Sequence, residues 1–209
     1  MLFYDCSTAP NPRRARMFIA EKGLDIETRH ISIADREQLS DDFKAVNPWA
    51  TVPVLVTDDG TVLTENLGIA AYLEARFPNP PLLGRGPDEK GLVLMWNSIV
   101  EQQGGAPIAE VLRNTNPFFR DRAIPGPVNY AQIPELAQRG TDRVARFFDL
   151  LEQRLRNSAF LAGAEFSLAD ISAFVFVDFA RVIRTRIPQE NTATLAWFEG
   201  IKERPSANL

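Results

Sequence analysis

The two sides of the segment Phe77–Pro87 do not share one kind of periodicity, and this constrains the fold more than any other feature. The segment reads FPNPPLLGRGP, with four prolines and two glycines. Such residues end helices and interrupt strand ladders, so it marks a boundary. Before it, short strand-like and helical patterns alternate. Leu2–Tyr4 is a brief apolar strand. A helical stretch from Pro12 to Lys22 puts Ala15, Phe18 and Ile19 on one face, with Gly23 as its stop. Glu27–Ile33 alternates, setting Thr28, His30 and Ser32 opposite Arg29, Ile31 and Ile33, as in a half-buried strand. A short helical piece at Asp41–Val46 and a strand at Pro53–Val56 follow. The turn Asp58-Asp59-Gly60 then leads into Val62–Thr64, which makes a hairpin. Asn66–Phe77 carries Ile69, Tyr72, Leu73 and Phe77 at helical spacing. The order β-α-β-(α)-β-β-α predicts an α/β layer on a mixed sheet.

Beyond the boundary the pattern is all helical. Leu92, Met95, Trp96, Ile99 and Val100 form one stripe, and Val144, Phe147, Phe148, Leu151 and Leu155 another. Ile171–Phe179 is apolar nearly all round and predicts a buried central helix. Leu195, Trp197, Phe198 and Ile201 lie on a last amphipathic piece. Between the first two helical regions, Asn116–Pro134 contains four prolines and cannot be continuous helix. Connections of that length often serve as a pocket wall or lid, and otherwise are plain surface loops. The expected organisation is therefore α/β plus all-α: residues 1–78, a linker at 79–87, and a helical-bundle domain at 88–209.

Composition excludes several function classes. A net charge of −4 with no basic stripe argues against nucleic acid or an anionic membrane as the main partner. The opening MLFYDCS does not resemble a signal peptide, and no apolar run approaches the ~18 residues of a membrane span, so a cytoplasmic location is expected. One cysteine, Cys6, and one histidine, His30, leave no basis for a disulfide or a metal cluster; no metal is expected.

Four short constellations carry the functional signal. In Cys6-Ser7-Thr8-Ala9-Pro10-Asn11-Pro12, a strand end passes through a proline-punctuated loop into a helix start. Helix N-termini present unpaired N–H groups and a positive dipole end, which favour a thiolate or another anion. Asn11 fits an N-cap before Pro12, with or without a ligand role. In Asn47-Pro48-Trp49-Ala50-Thr51-Val52-Pro53, a proline opens a strand, where its missing amide donor is tolerated. Glu65-Asn66 sits between a strand end and a helix start, suited to capping or to holding a zwitterion. Finally, Ser167 three residues before Asp170 forms a capping box, with Phe166 and Ile171 placed as a hydrophobic staple.

In this order the segments NPRRARMFIAEKG, NPWATVPVL, LTENLGIAAYLEARFP, FSLADIS and a terminal RPS resemble the cytosolic glutathione transferase superfamily over nearly the whole chain. The APNP loop is most similar to bacterial Nu-type members. The resemblance implies a thioredoxin-like first domain with a four-stranded mixed sheet, a homodimer, and glutathione as co-substrate without a permanently bound cofactor. It places Pro53 at the family's cis-proline, with the Val52 backbone pairing the cysteinyl part of glutathione. Glu65 and Asn66 take the γ-glutamyl group, Thr51 lies near the glycyl end, and Pro10 borders the tripeptide. Asn11 takes the place of the residue that meets the sulfur. Ile108, Leu112, Phe118 and Phe119 are expected to wall a small hydrophobic co-substrate, with Phe43 and Trp49 at the dimer interface. Cys6 lacks the second cysteine of a Cys-x-x-Cys pair, since Ala9 stands there, so it reads as a buried or idle thiol; Ser7 could reach the sulfur if the loop folds inward. His30 reads as structural, and Arg113, Arg120 and Arg122 as solvated. The expected function is attack of the glutathione thiolate on an apolar electrophile. A glutathione-dependent disulfide reductase and a non-enzymatic interaction protein of the same fold remain as alternatives.

Overall fold

The computed structural model describes residues 1–209. The chain forms two compact units. The first comprises residues 1–80 with 124–129 and Leu209; the second comprises 81–123 and 130–208. The tip of the proline-rich connection, residues 124–129, thus groups with the first unit although it lies within the span expected for the helical domain.

The first unit contains β1 (Leu2–Asp5), α1 (Pro10–Glu21), β2 (Glu27–His30), a 3-10 turn (Glu37–Leu39), α2 (Asp41–Val46), β3 (Val54–Val56), β4 (Val62–Leu63) and α3 (Asn66–Arg76). The sheet order is β2-β1-β3-β4. β1 and β2 are parallel, while β3 runs antiparallel to both β1 and β4. Alternation along β1 sends Phe3 and Tyr4 to opposite faces, and both are buried. Tyr4 belongs to a cluster with Cys6, Ile31, Phe43, Val52 and Val54. On α1, Met17 and Phe18 are fully buried, and α1 packs on α3. Lys22, at the C-terminal end of α1, is also buried. Its ammonium donates to the carbonyls of Phe77 and Pro80 and pairs with Glu74. A buried cation is tolerated only with such full satisfaction, and here it ties the end of α1 to the end of α3.

Two expectations for this unit need correction. Helix α1 starts at Pro10, so Ala9 is the N-cap and Asn11 is the second helical residue. Pro10 brings a φ already suited to the helix and loses no hydrogen bond there, because the first-turn N–H groups have no helical acceptor. The segment after Glu27 is not half-buried: Glu27–His30 are all exposed, and burial starts only at Ile31. β2 is an edge strand, and only its exit reaches the core.

The second unit contains α4 (Pro87–Val100), a π-helical turn (Glu101–Gly105), α5 (Ala106–Thr115), a 3-10 turn (Pro117–Phe119), α6 (Pro134–Leu155), α7 (Leu168–Phe179), a 3-10 turn (Ala180–Ile183), α8 (Thr192–Lys202) and a terminal 3-10 turn. The glycines of the π turn allow close packing: a Cβ on Gly104 would lie 2.6 Å from the Phe147 ring, and one on Gly105 2.5 Å from Phe176. Helix α7 is buried from Leu168 to Val177, as its apolar circumference requires. Its capping box is complete, with Asp170 accepting from both the N–H and the hydroxyl of Ser167. The same carboxylate accepts from Leu161 N–H and Trp197 Nε1–H at 2.9 and 3.2 Å. Burial pushes its pKa up to about 6. Glu152 plays a similar part for α8, accepting from Thr194 N–H and its hydroxyl, both at 2.9 Å. No helix of the chain is long and apolar enough to cross a membrane.

Candidate functional site

Strand register brings three of the sequence constellations to one end of the sheet. Tyr4 of β1 pairs with Val54 of β3, so the loop leaving β1 lies beside Val52-Pro53, which enters β3. Leu63 of β4 pairs with Leu55, and β4 is antiparallel to β3, so Glu65 and Asn66 emerge at that same end. β1, β3 and β4 are consecutive strands, so the three segments are spread over about two strand spacings, roughly 10 Å. The packing agrees, since Cys6, Ala9 and Val52 share one apolar cluster.

The α1 entrance is anchored from both sides. Arg16 donates to both oxygens of Asp5 at 2.6 and 2.7 Å, joining the helix to the strand end. Ala9 N–H donates to Cys6 O, closing the intervening turn at 3.2 Å. Pro10 and Pro12 have no N–H, and Arg13 N–H already donates to Ala9 O at 3.3 Å. Asn11 N–H is therefore the open backbone donor of this first turn. Asn11 is exposed, and its Oδ1 accepts from Arg14 Nη1 at 3.3 Å. Cys6 is 2% exposed, its sulfur 3.5 Å from the Thr8 hydroxyl, so it does not reach a ligand; Ser7 is exposed.

The loop before β3 is organised by Asn47, which is wholly buried. Its Oδ1 accepts from Trp49 N–H at 3.0 Å, and its Nδ2 donates to the carbonyl and hydroxyl oxygens of Thr51 at 2.8 and 3.2 Å. This side-chain network holds Ala50 at φ +53°, a conformation a non-glycine residue adopts only under such constraint. The Val52–Pro53 peptide bond is cis, as is Asn79–Pro80. Val52 is 8% exposed, and neither its N–H nor its C=O is among the chain's internal hydrogen bonds. Thr51 accepts from Asn47 but keeps its own hydroxyl proton for a further partner.

At the third corner, Glu65 is the N-cap of α3 and makes no side-chain cap, and Asn66 opens the helix. Asn66 is 6% exposed, and its Oδ1 is one of two buried side-chain polar atoms without a partner, the other being Gln38 Oε1. A buried carbonyl oxygen left unpaired costs about 1–3 kcal/mol, so its presence at a helix start calls for a donor from outside the chain.

Residues expected to wall a co-substrate fare unevenly. Ile108 is 1% exposed and is a packing residue of the second unit, because the helix face that carries it is turned inward. Phe118 is half exposed, and its ring meets Phe119 edge-on at 5.0 Å; Leu112 and Phe119 are partly exposed. Arg113 is not solvated as expected. It stacks 4.4 Å over the Phe119 ring and donates to the carbonyls of Arg122 and Ala123 at 2.7 and 3.0 Å. Burial, aided by the charge of Arg122, lowers its pKa to about 10. Gln132 and Asn114 fasten the other end of that connection to the end of α5. Phe43 is buried edge-on against Tyr4 and cannot present itself to a partner, whereas Trp49 is 67% exposed.

Two contributors escaped the sequence. Asn47 reads as a turn residue before proline, and only its complete burial shows that it sets the loop. Arg14 lies three residues after Asn11, a spacing that puts the two on one helix face.

These features define a two-part chain whose thioredoxin-like first unit gathers unsatisfied polar groups at one sheet end. Residues 8–76 match the family model for the glutathione S-transferase N-terminal domain, and residues 134–200 the one for the C-terminal domain. The chain is 32% identical over 209 residues to glutathione S-transferase 2 of Saccharomyces cerevisiae, covering 99% of this chain and 87% of that protein. The crystal structure of Gtt2 from the same yeast superposes with a TM-score of 0.90 at 31% identity, covering 100% of this chain and 99% of that one. A glutathione S-transferase domain-containing protein from Marinobacter aquaeolei gives 0.88 at 32% identity, with 99% of each chain covered. The chain belongs to the glutathione S-transferase family, and it is an enzyme of that family.

Proposed function

We propose that the first unit binds glutathione and ionises its thiol for attack on a small apolar electrophile. One observation carries this reading: three segments that meet at a single sheet end each leave a polar group without an internal partner. These groups are Asn11 N–H, the Val52 main chain and Asn66 Oδ1. They complement a γ-glutamyl tripeptide in order. Asn66 Oδ1 accepts from the γ-glutamyl ammonium, with Glu65 adding charge, while the α3 N-terminus takes the adjacent carboxylate. Val52 exchanges main-chain bonds with the cysteinyl residue, Thr51 serves the glycyl end, and Pro10 lies along the sulfur's approach.

The sulfur then falls to Asn11. A free thiol has a pKa of about 8.5, so half-ionisation at pH 7 needs a drop of ~1.5 units, or about 2 kcal/mol. A hydrogen bond to a charged group contributes ~1.5–3 kcal/mol, and a partly buried helix terminus up to ~2 kcal/mol. The N–H and Nδ2–H groups of Asn11 are thus sufficient donors. Asn11 is no base, so the thiol proton leaves to water. The thiolate forms the new C–S bond as the electrophile's leaving group departs. Exposed Trp49 is the proposed contact of a two-fold homodimer.

The test is calorimetric titration with millimolar glutathione, followed by ultraviolet titration of the bound thiolate in wild type and Asn11→Ala. Binding should be retained and the thiol pKa should rise by about 1–2 units in the variant. Absence of glutathione binding would overturn the reading of the site, and an unchanged thiol pKa would overturn the role of Asn11. Parallel assays with a chloronitrobenzene and a small disulfide separate conjugation from disulfide reduction; turnover of the disulfide alone would refute the electrophile.

A further inference from the structure

An asparagine amide has an accepting side and a donating side, and only the donating side stabilises a thiolate. Which side of Asn11 faces the ligand is determined by Arg14. A guanidinium donates and never accepts, so the Asn11 atom 3.3 Å from Arg14 Nη1 must be the oxygen. The amide is planar, and fixing its oxygen on Arg14 turns Nδ2 away from the guanidinium. Arg14 is 3% exposed, while Asn11, three residues earlier on α1, is exposed. The cation is therefore held behind the amide, on the protein side, and Asn11 is not its sole partner. Its charge draws electron density toward Oδ1 and strengthens the N–H groups as donors. The rest of the turn offers the sulfur little: Pro10 and Pro12 lack N–H groups, and Arg13 N–H is occupied by Ala9 O. Asn11 supplies both open donors of this turn, so its orientation matters more than in a helix start with three free amides.

We propose that Arg14 is a positioning residue for thiolate formation, its buried guanidinium orienting the Asn11 amide so that Nδ2 faces the glutathione sulfur. Arg14 acts through Asn11 and does not touch the sulfur. The inference rests on the glutathione reading given above and adds a coupling between two named side chains.

The experiment is a double-mutant cycle read by thiolate titration. Arg14→Lys keeps a cation but loses the planar, directional fork. In an otherwise wild-type chain it should raise the pKa of the bound thiol by about one unit and lower kcat/KM below that pKa about tenfold. The Kd for glutathione should change less than twofold. In an Asn11→Ala background Arg14→Lys should add nothing. In an Asn11→Ser background it should also add nothing, because a hydroxyl rotates to its partner unaided. Equal effects in all three backgrounds would show that Arg14 acts on the fold or the general field, and would overturn the proposal. If Asn11→Ala raises the thiol pKa but Arg14→Lys does not, this inference fails while the reading of Asn11 stands. If wild type binds no glutathione, that reading fails first. Should Arg14→Lys not fold, the Asn11 side-chain Nδ2 order parameter in unliganded wild type decides. A value near that of rigid backbone, about 0.85, supports the orientation, and one below about 0.6 overturns it.

Discussion

Helices α1 and α7 begin in opposite ways, and the contrast separates what holds this protein together from what it does. At α7 every capping position is filled: Ser167 and Asp170 satisfy each other, and Asp170 also receives Leu161 N–H and Trp197 Nε1–H. At α1 the N-cap is Ala9, which has no polar side chain, and two prolines lie in the first turn. The helix still forms, because its buried face of Ala15, Met17, Phe18 and Ile19 and the Asp5–Arg16 pair fix it from elsewhere. One start is closed by its own side chains and serves the fold. The other is left open, with Asn11 facing solvent, and is available to a ligand.

The largest expected effect tests the closed end. Asp170→Ala removes the acceptor of two buried donors and half of the capping box, and should destabilise the chain by about 3–5 kcal/mol in urea unfolding. Asn11→Ala, at an exposed position, loses only the 3.3 Å bond from Arg14 and should cost no more than about 1.5 kcal/mol. Equal losses would break the contrast.

Next in size is a pH effect confined to the closed end. Burial raises the Asp170 pKa in the folded chain from 3.8 to about 6. The unfolded chain therefore releases this proton first as pH rises. The contribution to stability is fully present below about 4, declines through 6 and is flat above it, a change on the order of 3 kcal/mol. Against Asp170→Asn, which does not titrate, wild type should gain stability as the buffer moves from pH 7 to pH 4.5. A constant difference would mean that the four hydrogen bonds fully offset desolvation.

The sequence showed the closed end more fully than the open one. A serine followed three residues later by an aspartate before an apolar run is a local signal, and the α7 box appears where that signal lies. The succession of elements along the chain and the hairpin were likewise readable from period and turn chemistry. Asn11 was misplaced as an N-cap because Pro10 and Pro12 compete for the first helical position, and local preference does not choose between them. Burial of Ile108 and Phe43 depended on which way a helix face turns, and the π turn at Glu101–Gly105 on the close approach of Phe147 and Phe176. None of these is written in a short stretch of chain. Asn47 and Arg14 escaped for the same reason: their importance lies in being buried polar groups, which identity alone does not reveal.

The smallest expected effect sharpens the comparison, because a third helix start stands between the two extremes. α3 lacks a side-chain cap, as α1 does, yet its first residue, Asn66, is buried like Asp170. The difference is that Asn66 Oδ1 has no partner. If that oxygen awaits an ammonium, Asn66→Ala removes an unpaired polar group from the unliganded chain and should leave its unfolding midpoint unchanged or slightly higher. Glutathione affinity should fall about tenfold, the size of one charge-assisted hydrogen bond. Stability and binding thus move independently at Asn66, whereas a cap of the α7 kind would lose stability on truncation. A lower unfolding midpoint with unchanged glutathione affinity would assign Asn66 to the fold and leave the γ-glutamyl end of the ligand without its acceptor.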